Sequence, residues 1–323
     1  MTTYEYNSVR GPKLYRHLIG TPASSLFHEK HANKTRHPAD ILREELQAIS
    51  GKFNAIVEIS RNGTKGEDSA EKIKSFITKI DEFYEQLQVI IKCFTPPDHF
   101  EEKGRLDDAL RAANRSTWQN FSGRTKNLHE PIRLAANALK HAGAKPVFVT
   151  VRNHRNVEVN GFYVSRVLGG NDQRGADPKI HKKYRGKINT AFSFNHLLSS
   201  TSGRIHCYLD ALDKSIFKKK DPDPASQLIA LDKLTETAAI LAEDFFPDEY
   251  LNPYSKIKKD KNTYFVEFPY RYRIKPGENP DLIFEVKSKI EINQRTSSSN
   301  SFLPYLQLTR PEDGLGLDKS PWR

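Results

Sequence analysis

The chain has 323 residues, 37% hydrophobic and 10% aromatic, which is enough apolar material for a packed core and excludes a wholly disordered chain. Its 51 Lys and Arg residues exceed its 40 Asp and Glu residues by 11, which favours RNA, DNA or an acidic protein as a partner. Cys93 and Cys207 lack the spacing of a thiolate metal site. No apolar run approaches the roughly 20 residues that cross a bilayer, and the first residues lack a signal-peptide core. We expect a cytoplasmic protein with no membrane association.

Helical periodicity dominates the first half of the chain. Residues 1–37 are polar and interrupted by Pro and Gly, so an irregular lead-in is expected there. Over 38–145, apolar residues recur at helical spacing in four segments separated by short breaks. The capping-box spacing of Asn127 and Glu130 predicts that the last helix begins near Asn127. The sequence therefore predicts a helical bundle over 38–145.

The pattern changes to strands from Ala144 onward. Three runs, KPVFVTV, NVEV and GFYVSRVL, are rich in β-branched and aromatic residues. The Asn160-Gly161 pair between the last two predicts a hairpin turn within a three-stranded meander. A mixed stretch follows, in which no period dominates, and a long helix is then expected over about 224–246.

Two later segments, 264–275 and 282–292, alternate between apolar and charged residues on either side of PGENP. This period of two predicts a hairpin with one buried face, on which Phe268 and Phe284 lie. Residues 293–323 read as an irregular tail. The predicted fold class is α+β: an N-terminal helical bundle, then an antiparallel β-rich region over 146–292 that contains one long helix.

One short stretch, GRTKNLHEPIRLAANALKHAG, concentrates polar groups that suit phosphodiester chemistry. On a helix its apolar residues share one side, while Arg133, Asn137, Lys140 and His141 fall on the other. A cation, an amide and an imidazole on one face would suit binding and cleavage of a phosphodiester. The alternative is a solvated face, or a polar contact with the neighbouring β segment. The candidate catalytic residues are Arg124, His129, Asn137 and His141.

Within this stretch, Arg124-Thr-Lys-Asn-Leu-His129 resembles the motif of HEPN domains, in which an Arg precedes a His by a few residues. The resemblance covers residues 38–145. It implies a helical, metal-independent ribonuclease of microbial defence that needs no cofactor. It also implies that His129 is the acid/base group, that Arg124 binds the phosphate, and that two copies form a homodimer.

A basic segment, Gly169 to Lys187, is the second candidate site. Its positive side chains and one tyrosine suit gripping phosphates and stacking a base. The alternative is a solvated loop without function. The candidate nucleic-acid-binding residues are Arg174, Lys179, Lys182, Lys183, Tyr184 and Arg185.

Other motifs give little support for metal or cofactor chemistry. Asp281, Glu285 and Lys287 resemble in type the residues of a Mg²⁺-dependent nuclease, but that family separates its two carboxylates more widely. The cluster of His28, His31 and His37 fits no zinc pattern. No metal or cofactor is expected. Three hypotheses remain open: a non-catalytic module that binds nucleic acid or an acidic partner, a HEPN-like ribonuclease, and a structural subunit of a complex.

Overall fold

A computed structural model of the protein describes residues 1–63, 66–100, 104–152, 157–168, 174–184, 189–217, 226–271 and 304–305. The fold is α+β, as the sequence predicts. In chain order the elements are β1 Thr2–Asn7, α1 Lys13–Ile19, α2 Pro38–Asn62, α3 Gly66–Cys93, α4 Leu106–Ala113, α5 Arg115–His141, β2 Lys145–Arg152, β3 Glu158–Val167, β4 Arg174–Ala176, β5 Phe192–Ser193, α6 Phe194–Ile216, α7 Ile229–Ala239, β6 Tyr254–Asp260 and β7 Thr263–Tyr270.

The N-terminal helices form where their apolar stripes predict them. Helix α2 begins at Pro38, and the imidazole of His37 caps it by accepting a hydrogen bond from the Ala39 amide. One boundary was predicted wrongly, because α5 begins at Arg115 and not near Asn127. The buried upstream side chains, such as Phe121, continue the same helical face, and their packing outweighs the local capping signal. Pro131 consequently lies inside the helix.

A three-stranded antiparallel sheet has the order β1-β7-β6. Phe268 of β7 is fully buried, as the alternation predicts. Strand β7 pairs with β1 on one side and with β6 on the other, so both of its edges are occupied over residues 263–267. The segment predicted to pair with it, 282–292, lies outside the described residues, and so does Phe284.

The second sheet contains β2, β3 and β4, with β5 pairing to β3. The predicted turn at Asn160-Gly161 is wrong, because both residues lie inside β3 and pair with β2. Glycine is required at position 161 for another reason: a Cβ atom there would overlap the carbonyl oxygen of Phe192 and the ring of Phe246. Close approach between neighbouring chain segments therefore explains the glycine that resembled a turn signal.

Helix α6 runs through the middle of the molecule and packs against α1, α2, α5, α7, β6 and β7. The Ser193 hydroxyl caps it by accepting from the His196 amide at 3.2 Å. The sequence did not indicate this helix, because it is buried around most of its circumference and has no polar stripe. The helix predicted over 224–246 is the shorter α7, Ile229–Ala239.

The sequence predicts an irregular lead-in over residues 1–37, but these residues contain β1 and α1. The structure ties both elements to the C-terminal half: β1 pairs with β7, and His17 of α1 hydrogen-bonds Asp213 of α6 at 2.6 Å. One hydrophobic core extends from Tyr6 to Val266 and includes residues from both halves of the chain. In the segment 293–323, only residues 304–305 are described, and Tyr305 is buried.

The structure also addresses the membrane prediction. Among the residues described, none of the helices combines the length and apolar character that crossing a bilayer requires.

Candidate functional site

Helix α5 places the four candidate catalytic residues on different sides. Arg124, Asn137 and His141 are exposed, whereas His129 is only 2% exposed and faces α3 and α6. Asn137 and His141 lie one turn apart, so they share the solvent face that the helical period predicts. The structure therefore does not bring Arg124 and His129 together on one accessible surface.

His129 belongs to a buried hydrogen-bond network centred on Asp81 of α3. The Nε2 atom of His129 lies 3.1 Å from Oδ1 of Asp81, and Nζ of Lys140 lies 3.3 Å from Oδ2. Both Asp81 oxygens are therefore bound by side chains of α5. Because Asp81 is 3% exposed, these two bonds hold α5 against α3 in a region from which water is excluded.

The contacts of the two imidazole nitrogens, Nε2 and Nδ1, together fix the tautomer of His129. Its Nε2–H donates to the Asp81 carboxylate, and its Nδ1 accepts from the Tyr208 hydroxyl of α6 at 3.4 Å. The Tyr84 ring stacks on the imidazole with centroids 4.0 Å apart and planes 9° apart. Both nitrogens and one ring face are thus covered by the protein itself.

The hydroxyl of Tyr84 is also held in place. Thr125 donates its hydroxyl proton to the carbonyl oxygen of Phe121 at 2.8 Å, so the Tyr84 hydroxyl must donate to Thr125 Oγ1 at 2.9 Å. This chain of bonds anchors the aromatic ring that covers His129.

Electrostatics keep this network in one protonation state. Burial lowers the pKa of His129 despite the neighbouring Asp81, so the imidazole is neutral at pH 7. Burial alone would raise the pKa of Asp81, but the hydrogen bonds from His129 and Lys140 outweigh it and lower that pKa. The arrangement suits docking of α3, α5 and α6 more than proton exchange with an external substrate.

The partners of His129 were not identified from the sequence. Asp81, Tyr84 and Tyr208 lie 48, 45 and 79 positions from it along the chain. One signal was nevertheless present, because Asp81 lies on the buried stripe of α3, one turn after Ile77. A carboxylate on an apolar stripe indicates a buried partner.

The second candidate region is the part of the basic segment that the structure describes, residues 174–184, which we call the basic platform. Its backbone is fixed at Asp177: the carboxylate accepts from the Lys179 amide at 2.9 Å, and the carbonyl accepts from the Ile180 and His181 amides at 3.0 and 2.8 Å. His181 Nε2 accepts from the Val164 amide of β3 at 2.8 Å. Burial lowers the pKa of His181 to about 3, so this acceptor stays unprotonated at neutral pH.

Three ammonium groups of the basic platform point into solvent. Lys179, Lys182 and Lys183 are exposed, and within the described part of the chain none of them has an ion-pair or hydrogen-bond partner for its side chain. Arg174 and Tyr184 are half-buried, and Tyr184 packs against the hydrophobic cluster around Phe246 and Tyr305. Tyr184 therefore helps to anchor the segment. Arg185 lies outside the described residues.

The lysines of β6 differ from those of the basic platform because each of them is paired with a glutamate. The ammonium groups of Lys256, Lys258 and Lys259 lie 3.4, 3.5 and 3.0 Å from carboxylate oxygens of Glu243, Glu267 and Glu236, respectively. Their charge is thus locally compensated. Among the described residues, the lysines of the basic platform have no such carboxylate partners, so this region presents a local excess of positive charge that β6 does not.

The histidines near the N-terminus serve other contacts. His31 Nε2 lies 3.1 and 3.0 Å from the carbonyl oxygens of Lys92 and Thr95, close to the end of α3. In the described ranges, no group of three or more His, Cys, Asp or Glu side chains is arranged to hold a metal ion. Asp281, Glu285 and Lys287 lie outside those ranges.

The chain was compared with protein-family models, with curated proteins and with solved structures, and none of the three comparisons found a match.

Proposed function

We propose that this protein is a non-catalytic module that binds nucleic acid through the basic platform. The observation that carries the proposal is the set of three exposed ammonium groups on Lys179, Lys182 and Lys183, for which the described residues provide no carboxylate partner. Phosphate groups attract such cations and release condensed counterions when they bind them. The net charge of +11 adds a favourable long-range field.

The rigid backbone of the platform supports the proposal. Asp177 and buried His181 fix the chain from which the lysines project, so binding does not require the backbone to become ordered. The segment carries no exposed aromatic ring in its described part, since Tyr184 is half-buried. Contacts with the phosphate backbone therefore outweigh base stacking, and recognition is expected to depend little on sequence.

The ribonuclease alternative has less support. A general acid/base must reach the reacting oxygen, and His129 is buried with both ring nitrogens bonded to Asp81 and Tyr208. Arg124 lies on the exposed side of the same helix. The proposal therefore assigns no catalytic step to this chain.

Fluorescence anisotropy with labelled single-stranded RNA, single-stranded DNA and duplex DNA tests the proposal. The variant K179A/K182A/K183A is expected to bind each nucleic acid at least about tenfold more weakly than the wild type, since each lost phosphate contact removes a favourable electrostatic interaction. The control variant K256A/K258A/K259A removes the same net charge from β6, where glutamates already compensate it. This control is expected to bind nearly as well as the wild type.

Equal losses in the two triple variants would show that net charge alone drives binding, and would overturn the role of the platform. Absence of nucleic-acid binding by the wild type would remove the proposal and favour an acidic protein partner or a structural subunit. Running each assay in EDTA and checking the probe length afterwards excludes cleavage as the source of a signal change.

A further inference from the structure

Arg204 of α6 is a buried cation for which the described residues provide no carboxylate partner. Its residue exposure is 8%. The Nε atom donates to the carbonyl oxygen of Leu128 in α5 at 2.9 Å, but the buried Nη1 has no hydrogen-bond partner among the residues that the structure describes. Burial lowers the pKa of Arg204, which reflects the cost of taking a guanidinium out of water. Such a cost is normally compensated by an anion and by hydrogen bonds.

A second unsatisfied donor lies close by on the same helix. Thr201, three positions before Arg204, is fully buried, and its Oγ1 has no partner in the described structure. Residues three positions apart lie on neighbouring turns of one helix face, so Thr201 and Arg204 are adjacent on α6. Buried polar groups are nearly always hydrogen-bonded. Among the described residues, Arg204 Nη1 and Thr201 Oγ1 are two such exceptions on successive turns of α6, and Ser202 Oγ beside Thr201 is a third.

A second cation approaches this part of the α5–α6 interface from the surface. Arg124 is exposed and lies one turn before Leu128, whose carbonyl accepts from Arg204. Burial raises the pKa of the Cys207 thiol, and the charges of Arg124 and Arg204 both counteract that rise. The charges of both guanidinium groups therefore act on the same thiol, one from α5 and the other from α6.

The nearby carboxylate does not compensate these charges. Asp210, which also acts on Cys207, forms an ion pair with Lys214 at 2.8 Å. In the described part of the chain, Arg124, Arg204 and Thr201 thus contribute two cations and a hydroxyl donor to the interface, and the carboxylate of Asp210 is already paired. An oxyanion with several acceptor oxygens matches this set better than a single carbonyl would.

We propose that the α5–α6 interface binds a phosphate group, with Arg204 and Thr201 as buried donors and Arg124 as the cation at the surface. This site is distinct from the basic platform and does not depend on the proposed nucleic-acid binding. The phosphate group is either free inorganic phosphate or the phosphate of a mononucleotide, which present the same charged oxygens.

Thermal unfolding of the full chain tests the site, because a ligand that binds only the folded state raises the melting temperature with its concentration. Sodium phosphate is increased while sodium chloride keeps the ionic strength constant. The wild type is expected to gain stability with the logarithm of phosphate concentration, and Arg204→Met is expected to gain none. If Arg204→Met fails to fold, Arg124→Gln changes only an exposed residue and is expected to weaken the phosphate effect. Arg115→Gln, an exposed change at the start of α5, is the control that should leave it intact.

Adenosine monophosphate and adenosine distinguish the two sources of the phosphate. If adenosine monophosphate raises the melting temperature more than phosphate does, and adenosine does not raise it, the ligand is a nucleotide. If adenosine monophosphate raises the melting temperature no more than phosphate does, the ligand is free phosphate. The proposal is overturned if the wild type shows no phosphate-dependent rise, or if Arg124→Gln and Arg115→Gln retain it equally.

Discussion

Gly203 of α6 lies directly against the ring of Phe268 in β7, so close that a Cβ atom at position 203 would overlap the ring. The phenylalanine is fully buried, and the glycine lets the helix approach the sheet. This contact joins the central helix to the β1-β7-β6 sheet.

The contact between Gly203 and Phe268 predicts that Gly203→Ala destabilises the wild type but stabilises the Phe268→Ala variant. Gly203→Ala in the wild type should cost about 1–3 kcal/mol, because the added methyl group overpacks the interface. Phe268→Ala alone should cost about 3–5 kcal/mol. In the Phe268→Ala background, Gly203→Ala should instead stabilise by up to about 1 kcal/mol, since alanine is the better helix former and the space is then free. Chemical denaturation of the four proteins measures the coupling, and additive effects would contradict the contact.

His129 and His141 are expected to differ sharply although both lie on α5. His129→Ala removes a stacked ring and leaves Asp81 with one fewer donor, so it should cost about 2–4 kcal/mol. His141→Ala changes an exposed side chain and should stay within about 0.5 kcal/mol. Melting curves measure both, and incubation with RNA in EDTA checks for cleavage. Metal-independent cleavage that depends on His129 would reverse our preference in favour of the ribonuclease.

Much of the helical fold could be predicted because α2 and α3 each have one apolar stripe. Helix α6 could not, because residues such as Ser199, Thr201 and Gly203 favour no helical period, and its polar side chains are buried as well. Likewise, β1 could not be assigned to β7, since its partner lies about 260 positions away and one sequence contains no signal of that pairing.

The candidate sites likewise combine features that the sequence predicts with features that depend on distant parts of the chain. A local excess of lysine is visible in the sequence, so the sequence alone predicts Lys179, Lys182 and Lys183 as candidate phosphate-binding residues. The burial of His129 depends on Asp81 and Tyr208, which other elements supply. Spacing along one helix therefore identified the residue but not its environment.

The buried histidines predict a loss of stability in acid. Burial lowers the pKa of His206 to about 4, against 6.5 for a free imidazole. Below pH 6.5 the unfolded chain therefore binds a proton at His206 that the folded chain does not bind. The stability that neutral His206 contributes to the folded state is fully present above pH 6.5 and is lost as the pH falls toward 4. His206 Nε2 lies 2.9 Å from Thr235 Oγ1, and the amide of His206→Gln can replace that bond without titrating.

Urea unfolding of the wild type and of His206→Gln between pH 7.5 and pH 4.5 measures this effect. The free energy of unfolding of the variant should fall less steeply with decreasing pH below 6.5, by up to about 1.4 kcal/mol per pH unit. Burial raises the pKa of Asp248 to about 6, which acts in the opposite direction, so the comparison is made between the two proteins and not on one curve. If the free energies of unfolding of the two proteins had the same pH dependence, His206 would be protonated in the folded state as readily as in the unfolded chain, which would contradict the prediction.

The salt dependence of nucleic-acid affinity tests the central claim most directly. For the wild type, the logarithm of the association constant for duplex DNA should fall linearly with the logarithm of salt concentration. If Lys179, Lys182 and Lys183 each contact a phosphate, the slope for K179A/K182A/K183A should be shallower by about 0.9 per contact, while K256A/K258A/K259A should keep the wild-type slope. A platform variant whose slope equals that of the wild type would contradict the account.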